Sequence, residues 1–210
     1  ENLTFRGSAS TTFRAPPASF LSGTGTNLTF IGAALAFKAA DTTGNPDLDP
    51  ESATALNFGA IYKNDNGFYA SADYWSFDFE DPFQAESPNQ IVGAYGASGC
   101  QDGGAGVGTA TCDSLRARLT PLGTSIGGVQ RIQRFVINGS DITTSGLDLV
   151  VKQRWEEIAN GYLEIGIEGT HMLEYDSDDF LLGNGLVVAQ GDDFVGRSNE
   201  NTPFTPKPEN

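Results

Sequence analysis

Residues 1–14, ENLTFRGSASTTFR, alternate almost without error: Leu3, Phe5, Gly7, Ala9 and Phe13 fall on one face, and Thr4, Arg6, Ser8, Ser10, Thr12 and Arg14 on the other. A period of two is the mark of a β-strand with two unlike faces. The pattern returns over about residues 52–63, where Leu56, Phe58, Ala60 and Tyr62 oppose Asn57, Gly59 and Lys63. It returns again over about 68–79, with Phe68, Ala70, Ala72 and Tyr74 against Tyr69, Ser71, Asp73 and Trp75. The intervening Asn64-Asp65-Asn66-Gly67 predicts a tight hairpin, because these residue types tolerate turn dihedrals. A fourth strand is expected over about 130–155 and a fifth along Tyr162–Leu173, joined by a short turn near 156–161.

Alternation alone does not separate a membrane barrel from a soluble half-buried sheet. Three features favour the barrel. The strands run to about 13 residues where globular sheets favour about 5–6; small residues interrupt the apolar faces; and aromatics (Phe5, Phe13, Phe68, Tyr74, Trp155) sit near strand ends, as in interfacial girdles. The connections also alternate. Residues 64–67 and about 156–161 are short, while 15–51, about 81–129 and about 175–210 are long, which suits short turns at one rim and long loops at the other. The expected fold is therefore all-β: part of an antiparallel up-and-down transmembrane β-barrel, about five strands with long extracellular loops. Leu3, Phe5, Leu56, Phe58, Leu149, Ile165 and Ile167 are expected to face lipid, and Arg6, Asn57, Asp73, Asp148 and Glu168 the interior.

Composition narrows the function classes. Twelve Lys and Arg stand against 27 Asp and Glu, a net charge of −15. Such a chain lacks the clustered cations that displace phosphate counterions, so nucleic acid is excluded as a partner, and adsorption to anionic lipid is disfavoured. No apolar run approaches the roughly 18 residues of a membrane helix. No catalytic constellation, zinc spacing or phosphate loop is present, so neither an enzyme nor a cofactor is expected. The glycine-rich run Cys100–Cys112 reads as a loop that opens no helix. His171 reads as structural or exposed rather than as a ligand. Cys100 and Cys112 are the two cysteines of the chain and share one long connection, which favours a disulfide over a metal site. The acidic stretches Asp176–Asp179 and Gly191–Asp193 offer oxygens for calcium but match no calcium-loop pattern, and solvated acids are the favoured reading.

Two motifs then carry a resemblance. Phe13-Arg14-Ala15-Pro16 closes the first strand, and Asn45-Pro46-Asp47-Leu48-Asp49-Pro50-Glu51 opens the second. Together with GFYASADYW and NGSDITTSGLDLVVK further on, this order resembles the barrel region of TonB-dependent outer-membrane receptors. In that setting Pro46 and Pro50 hold the descending chain extended and out of the ladder, Leu48 packs, and Glu51 enters the interior. The resemblance implies energised uptake of a scarce ligand (siderophore, cobalamin or glycan) across the bacterial outer membrane. It implies outer-membrane lipid and an inner-membrane energy-coupling protein as partners, the latter reached through a plug domain. The plug and the final barrel strand are expected to lie outside residues 1–210, which would be a fragment of the barrel domain. The rival class is a non-transport surface protein, for binding or adhesion. Beneath the long loops, Arg14, Tyr69, Asp73 and Trp75 are the candidates to face ligand.

Overall fold

A computed structural model describes residues 2–158 and 161–196, apart from 122 and 124. In chain order the elements are β1 (Leu3–Arg14), α1 (Ala18–Ser22), β2 (Thr24–Ile31), β3 (Ala36–Thr43), β4 (Glu51–Lys63), β5 (Phe68–Glu80), β6 (Phe83–Ala85), α2 (Pro88–Ala97) and α3 (Ala110–Ala117). There follow β7 (Leu119–Thr120), β8 (Arg131–Asn138), β9 (Ile142–Ile158), β10 (Gly161–Ser177), β11 (Phe180–Leu181), β12 (Val187–Ala189) and β13 (Asp192–Asp193).

The long strands form one antiparallel wall in the order β1-β4-β5-β9-β10, with β13 added at the end. The hairpin between β4 and β5 is held by Asn64, whose Oδ1 accepts the N–H groups of Asn66 and Phe68. The wall inverts the burial of a soluble sheet. On its apolar face Phe58 is 61% exposed and Ile167 73%, while on its polar face Asp73 is only 6% exposed. All seven residues expected to face lipid are exposed, and none of them enters the packed core. Register places Arg6, Gly59, Asp73, Asp148 and Thr170 in one row on the opposite face.

The packed core lies elsewhere, in a cap built from the long connections. A second sheet runs β2-β3-β8-β6, with β3 and β8 parallel and β7 alongside β8. Against it pack α2 and α3, burying Ile31, Ile91, Tyr95, Leu115, Ile132 and Leu182. Each fully buried side chain of this size stabilises by about 1.5–3 kcal/mol, so the cap is held as a small globular domain is held. Local sequence sets the helix starts. Ser87 caps α2, with Pro88 at the first position, and the Thr109 hydroxyl accepts the Cys112 N–H at the start of α3. Cys100 and Cys112 are disulfide-bonded, their Cα atoms 5.0 Å apart, and tie the loop after α2 to α3.

Three expectations change. The fourth strand is not continuous over 130–155. It divides at Gly139-Ser140-Asp141, where β8 leaves the cap sheet and β9 enters the wall; the Ser140 hydroxyl fixes this corner by donating to the Asp179 carbonyl. The connections 15–51 and 81–129 are not simple loops but supply the cap's strands and helices, because they bring enough apolar residues to close a core of their own. The glycine-rich run does open a helix: Thr109 supplies the cap and α3 begins at Ala110.

Candidate functional site

The polar face of the wall is organised around one ion pair. Arg6 donates from Nε to Asp73 Oδ1 at 2.7 Å and from Nη2 to Oδ2 at 2.6 Å. The two residues sit on β1 and β5, so the pair must cross β4, and it does so over Gly59. A Cβ at Gly59 would collide with the Asp73 carboxylate. Asp73 stands directly opposite Asp148, an unfavourable like-charge pairing that Arg6 relieves on one side and the Thr170 hydroxyl on the other, by donating to Asp148 at 2.7 Å. Toward the cap the face turns aromatic. Trp75, Phe77 and Phe79 follow one another along β5, with ring centroids 5.8 and 6.2 Å apart. The Trp75 ring lies over Gly146, where any side chain would displace it.

At the rim the two sequence motifs meet. Arg14 pairs with Glu51, Nε to Oε1 at 2.6 Å, and its guanidinium lies 5.2 Å from the centre of the Phe83 ring. Leu48 is buried, and Asn138 clamps the lead-in by accepting the Asp49 N–H and donating to the Asp49 and Asp81 carbonyls. Although Asp81 is exposed, partial desolvation of its carboxyl raises it from its ordinary value, and the neighbouring Asp141, Asp49 and Glu80 raise it further. In the cap sheet the Thr26 hydroxyl, with Arg131, holds Asp41 below that range.

The cap is locked to itself by Glu86, whose side chain is fully buried. Its Oε2 accepts from Arg118 at 2.6 Å and from the Phe135 N–H at 2.8 Å, and its Oε1 accepts the Gly183 N–H at 2.8 Å. Between this knot and the wall lies a cavity of about 580 Å³. Ile142, Met172 and Tyr175 line it from β9 and β10, Gln84 and Gln90 from the cap, and Phe194 from the segment after β13. Beside it is an open basin of about 830 Å³ that shares Ser140, Ser177 and Leu181 and carries six aspartates, Asp141, Asp176, Asp178, Asp179, Asp192 and Asp193. The two acidic stretches of the sequence thus come together, with Asp176 opposite Asp193. Among the described residues, however, no three His, Cys, Asp or Glu side chains form a group able to hold a metal.

The sequence matches the family described as TonB dependent receptor-like, beta-barrel, over residues 1–206. The chain belongs to that family of receptor barrels. Among solved structures it is similar to a single-residue variant of the ferric enterobactin receptor PfeA from Pseudomonas aeruginosa, with 15% identity and a TM-score of 0.50, covering 90% of this chain and 22% of the other. It is also similar to the siderophore receptor PirA from the same organism, at 14% identity and a TM-score of 0.41 over 84% of this chain and 27% of that one. The chain therefore spans about a fifth to a quarter of the length of the receptors it matches. No curated protein matches it.

In receptor terms the polar face of the wall is the luminal one, and the four candidate ligand residues occupy different parts of it. Trp75 heads the aromatic column that runs to the cavity: Phe79 pairs with Ile142, and Phe77 with Thr144, which in turn pairs with Tyr175. Asp73 is held by Arg6, and Arg14 by Glu51 at the rim. Tyr69 pairs with Lys63 and Lys152 beside the short hairpin, at the end of the wall away from the cap. His171 stands on the lipid face, exposed and opposite Leu147. Phe77 and Phe79 were legible as partners of Trp75, since the alternation puts all three on one face. Tyr175, Phe194 and Gln90 carried no such signal, because only tertiary folding brings them to the cavity.

Proposed function

We propose that residues 1–210 form part of the barrel domain of an outer-membrane receptor that takes up a scarce ligand with energy from the inner membrane. Its cap faces the cell exterior and its luminal cavity serves as a vestibule. Apolar residues of the wall contact outer-membrane lipid. The plug and the final strand lie outside this segment, and the plug meets the energy-coupling protein. The observation that carries the reading is the inverted wall, apolar face exposed and polar face ion-paired, joined at one rim to a cap with a packed core. A siderophore is the ligand class the similar receptors favour, ahead of cobalamin or a glycan. At the head of the aromatic column that leads to this vestibule, Trp75 is the residue proposed to stack on ligand; Arg14 and Asp73 hold the wall that presents it.

The test uses the full-length receptor in iron-starved cells lacking their own copy. Restoring the gene should give accumulation of radioactive iron presented on siderophores, and an uncoupler should abolish accumulation but not surface binding. Trp75→Ala should lower uptake by roughly tenfold, the loss of about one stacking contact, with normal barrel assembly. Binding without any energy-dependent uptake would favour the surface-binding alternative, to which the exposed Leu28, Phe30, Leu35 and Phe37 of the β2–β3 hairpin lend some support.

A further inference from the structure

The hairpin β2–β3 is apolar on both of its faces, and one of them is bare. Ile31 and Ala40, on the first face, are fully buried. Register gathers Leu28, Phe30, Phe37 and Ala39 on the second, where Leu28 is 72% exposed and Phe37 66%. The Phe30 and Phe37 rings meet edge to face, their centroids 5.4 Å apart. At the base of this face Thr26 and Arg131 both donate to Asp41, which gives the apolar patch a polar margin. A contiguous exposed apolar patch with a polar rim marks a contact surface. The patch is also held in shape. Asn89 donates to the Phe30 carbonyl at 3.0 Å and accepts the Gly32 N–H at 2.9 Å, while Lys38 donates to the Gly127 carbonyl at 2.9 Å. At the tip Leu35 keeps a positive φ of 48°, unfavourable for so bulky a residue, and its side chain is exposed. A strained, bare leucine on a pinned tip is a residue placed for contact.

The path of the chain fixes where the patch lies. The β1–β4 pair ends at Arg14 and Glu51, and the β2–β3 pair starts at Thr24 and Thr43. Between these limits the two segments stay bonded, with the Asn45 N–H on the Phe20 carbonyl and the Gly44 N–H on the Gly23 carbonyl, each at 2.7 Å. The hairpin therefore prolongs the β1–β4 pair beyond the rim, with β2 on the β1 side. Among the described residues β1 ends the wall, and a membrane barrel leaves no strand edge unpaired. A strand from elsewhere in the receptor must then pair with β1. Because β1 rises toward the cap, an antiparallel partner descends from it, and the loop that feeds this partner emerges beside β2. This chain covers 22% of the similar PfeA variant, so a receptor of that length has chain to supply both.

We propose that the bare face of β2–β3 seats that loop, the extracellular connection leading into the barrel strand paired with β1. The loop lays apolar side chains on Leu28, Phe30 and Phe37, so that the hairpin is covered on both faces in the whole receptor. In an up-and-down barrel the strand concerned is the one preceding β1 in the full-length chain. The inference rests on the barrel reading above. It withdraws the patch from outside partners, and with it the support that the patch lends to a surface-binding role.

The experiment places the photo-crosslinking residue p-benzoylphenylalanine singly at Leu28, Phe30 and Phe37 of the full-length receptor in outer membranes. Two of these replacements exchange one aromatic side chain for a larger one at a partly open position, so they carry the test should the Leu28 variant fail to assemble. After irradiation, digestion and mass spectrometry should map the adducts to a single segment of the same receptor molecule, the loop one strand upstream of β1. Adducts with lipid, with residues 197–210, with a second copy (seen as a doubled mass) or with a foreign protein would overturn the inference. So would assembled receptor that gives no adduct from any of the three sites. The same probe at Phe58 tests the barrel reading separately, since that position should crosslink to lipid. Loss of the lipid adduct at Phe58 marks failure of the barrel, whereas failure of this inference shows at the hairpin positions alone.

Discussion

Glu86 joins three segments of the cap through a fully buried carboxylate. Its two oxygens meet a guanidinium and two backbone N–H groups from separate segments, so both oxygens are hydrogen-bonded. Removing one partner of a buried pair leaves the other charge uncompensated, at a cost of about 3–5 kcal/mol. Glu86→Ala should accordingly destabilise the cap by that amount, measured as the loss of the cap's cooperative thermal transition in the full-length receptor. An unchanged transition would mean that Arg118 finds water instead. Asp81 behaves in the opposite sense. Its carboxyl is raised by partial desolvation and by Asp141, Asp49 and Glu80, so its charged form is disfavoured in the folded state. The stability tied to it is present below the unfolded value of about 3.9 and is lost as pH rises through the folded value. Asp81→Asn should therefore stabilise the rim at pH 7 and do nothing near pH 3, and Asn also tolerates the positive φ at this position. Destabilisation at pH 7 would show that the carboxylate has a role beyond repelling its neighbours.

Among the elements, the wall strands were legible because their pattern is local: each residue's face follows from its parity, and β1, β4 and β5 lie within one residue or so of their expected limits where the structure describes them. The cap was not legible. Its sheet pairs β3 with β8 in parallel across about 90 residues, and its core draws on three separate connections, so no window of sequence contains the pattern. The continuous strand expected over 130–155 failed for the same reason. Both halves read as strand, though only the second alternates, and Gly139, Ser140 and Asp141 mark the change of sheet. Arg14 and Glu51 were visible as motif residues, yet their bond to each other appears only once β1 and β4 are in register. The disulfide was legible from cysteine count and spacing. Closing its short loop should contribute about 3 kcal/mol to the cap by restricting the unfolded chain. Thiol titration of the unreduced protein should find no free sulfhydryl, and reduction should lower the cap's thermal midpoint while leaving the wall intact; two titratable thiols would remove the bond from the account.

At the scale of the whole molecule, two parts obey opposite rules. The cap buries apolar groups from water, whereas the wall turns them outward and encloses its charges, which is stable only where lipid covers the outer face. The cavity lies where these two rules meet, beneath the cap and against the luminal row. That opposition is the central claim, and accessibility of spin labels along the wall tests it most directly. Labels are placed singly at Phe58, Leu149 and Ile167 and at Asn57, Asp148 and Glu168 of the full-length receptor in bilayers, then exposed to oxygen, which concentrates in lipid, and to a water-soluble nickel chelate. The account predicts that the first set collides with oxygen and the second does not, a contrast that reverses with each step along a strand. Equal accessibility of the two sets, or oxygen contact at Asn57 and Asp148 instead, would contradict it.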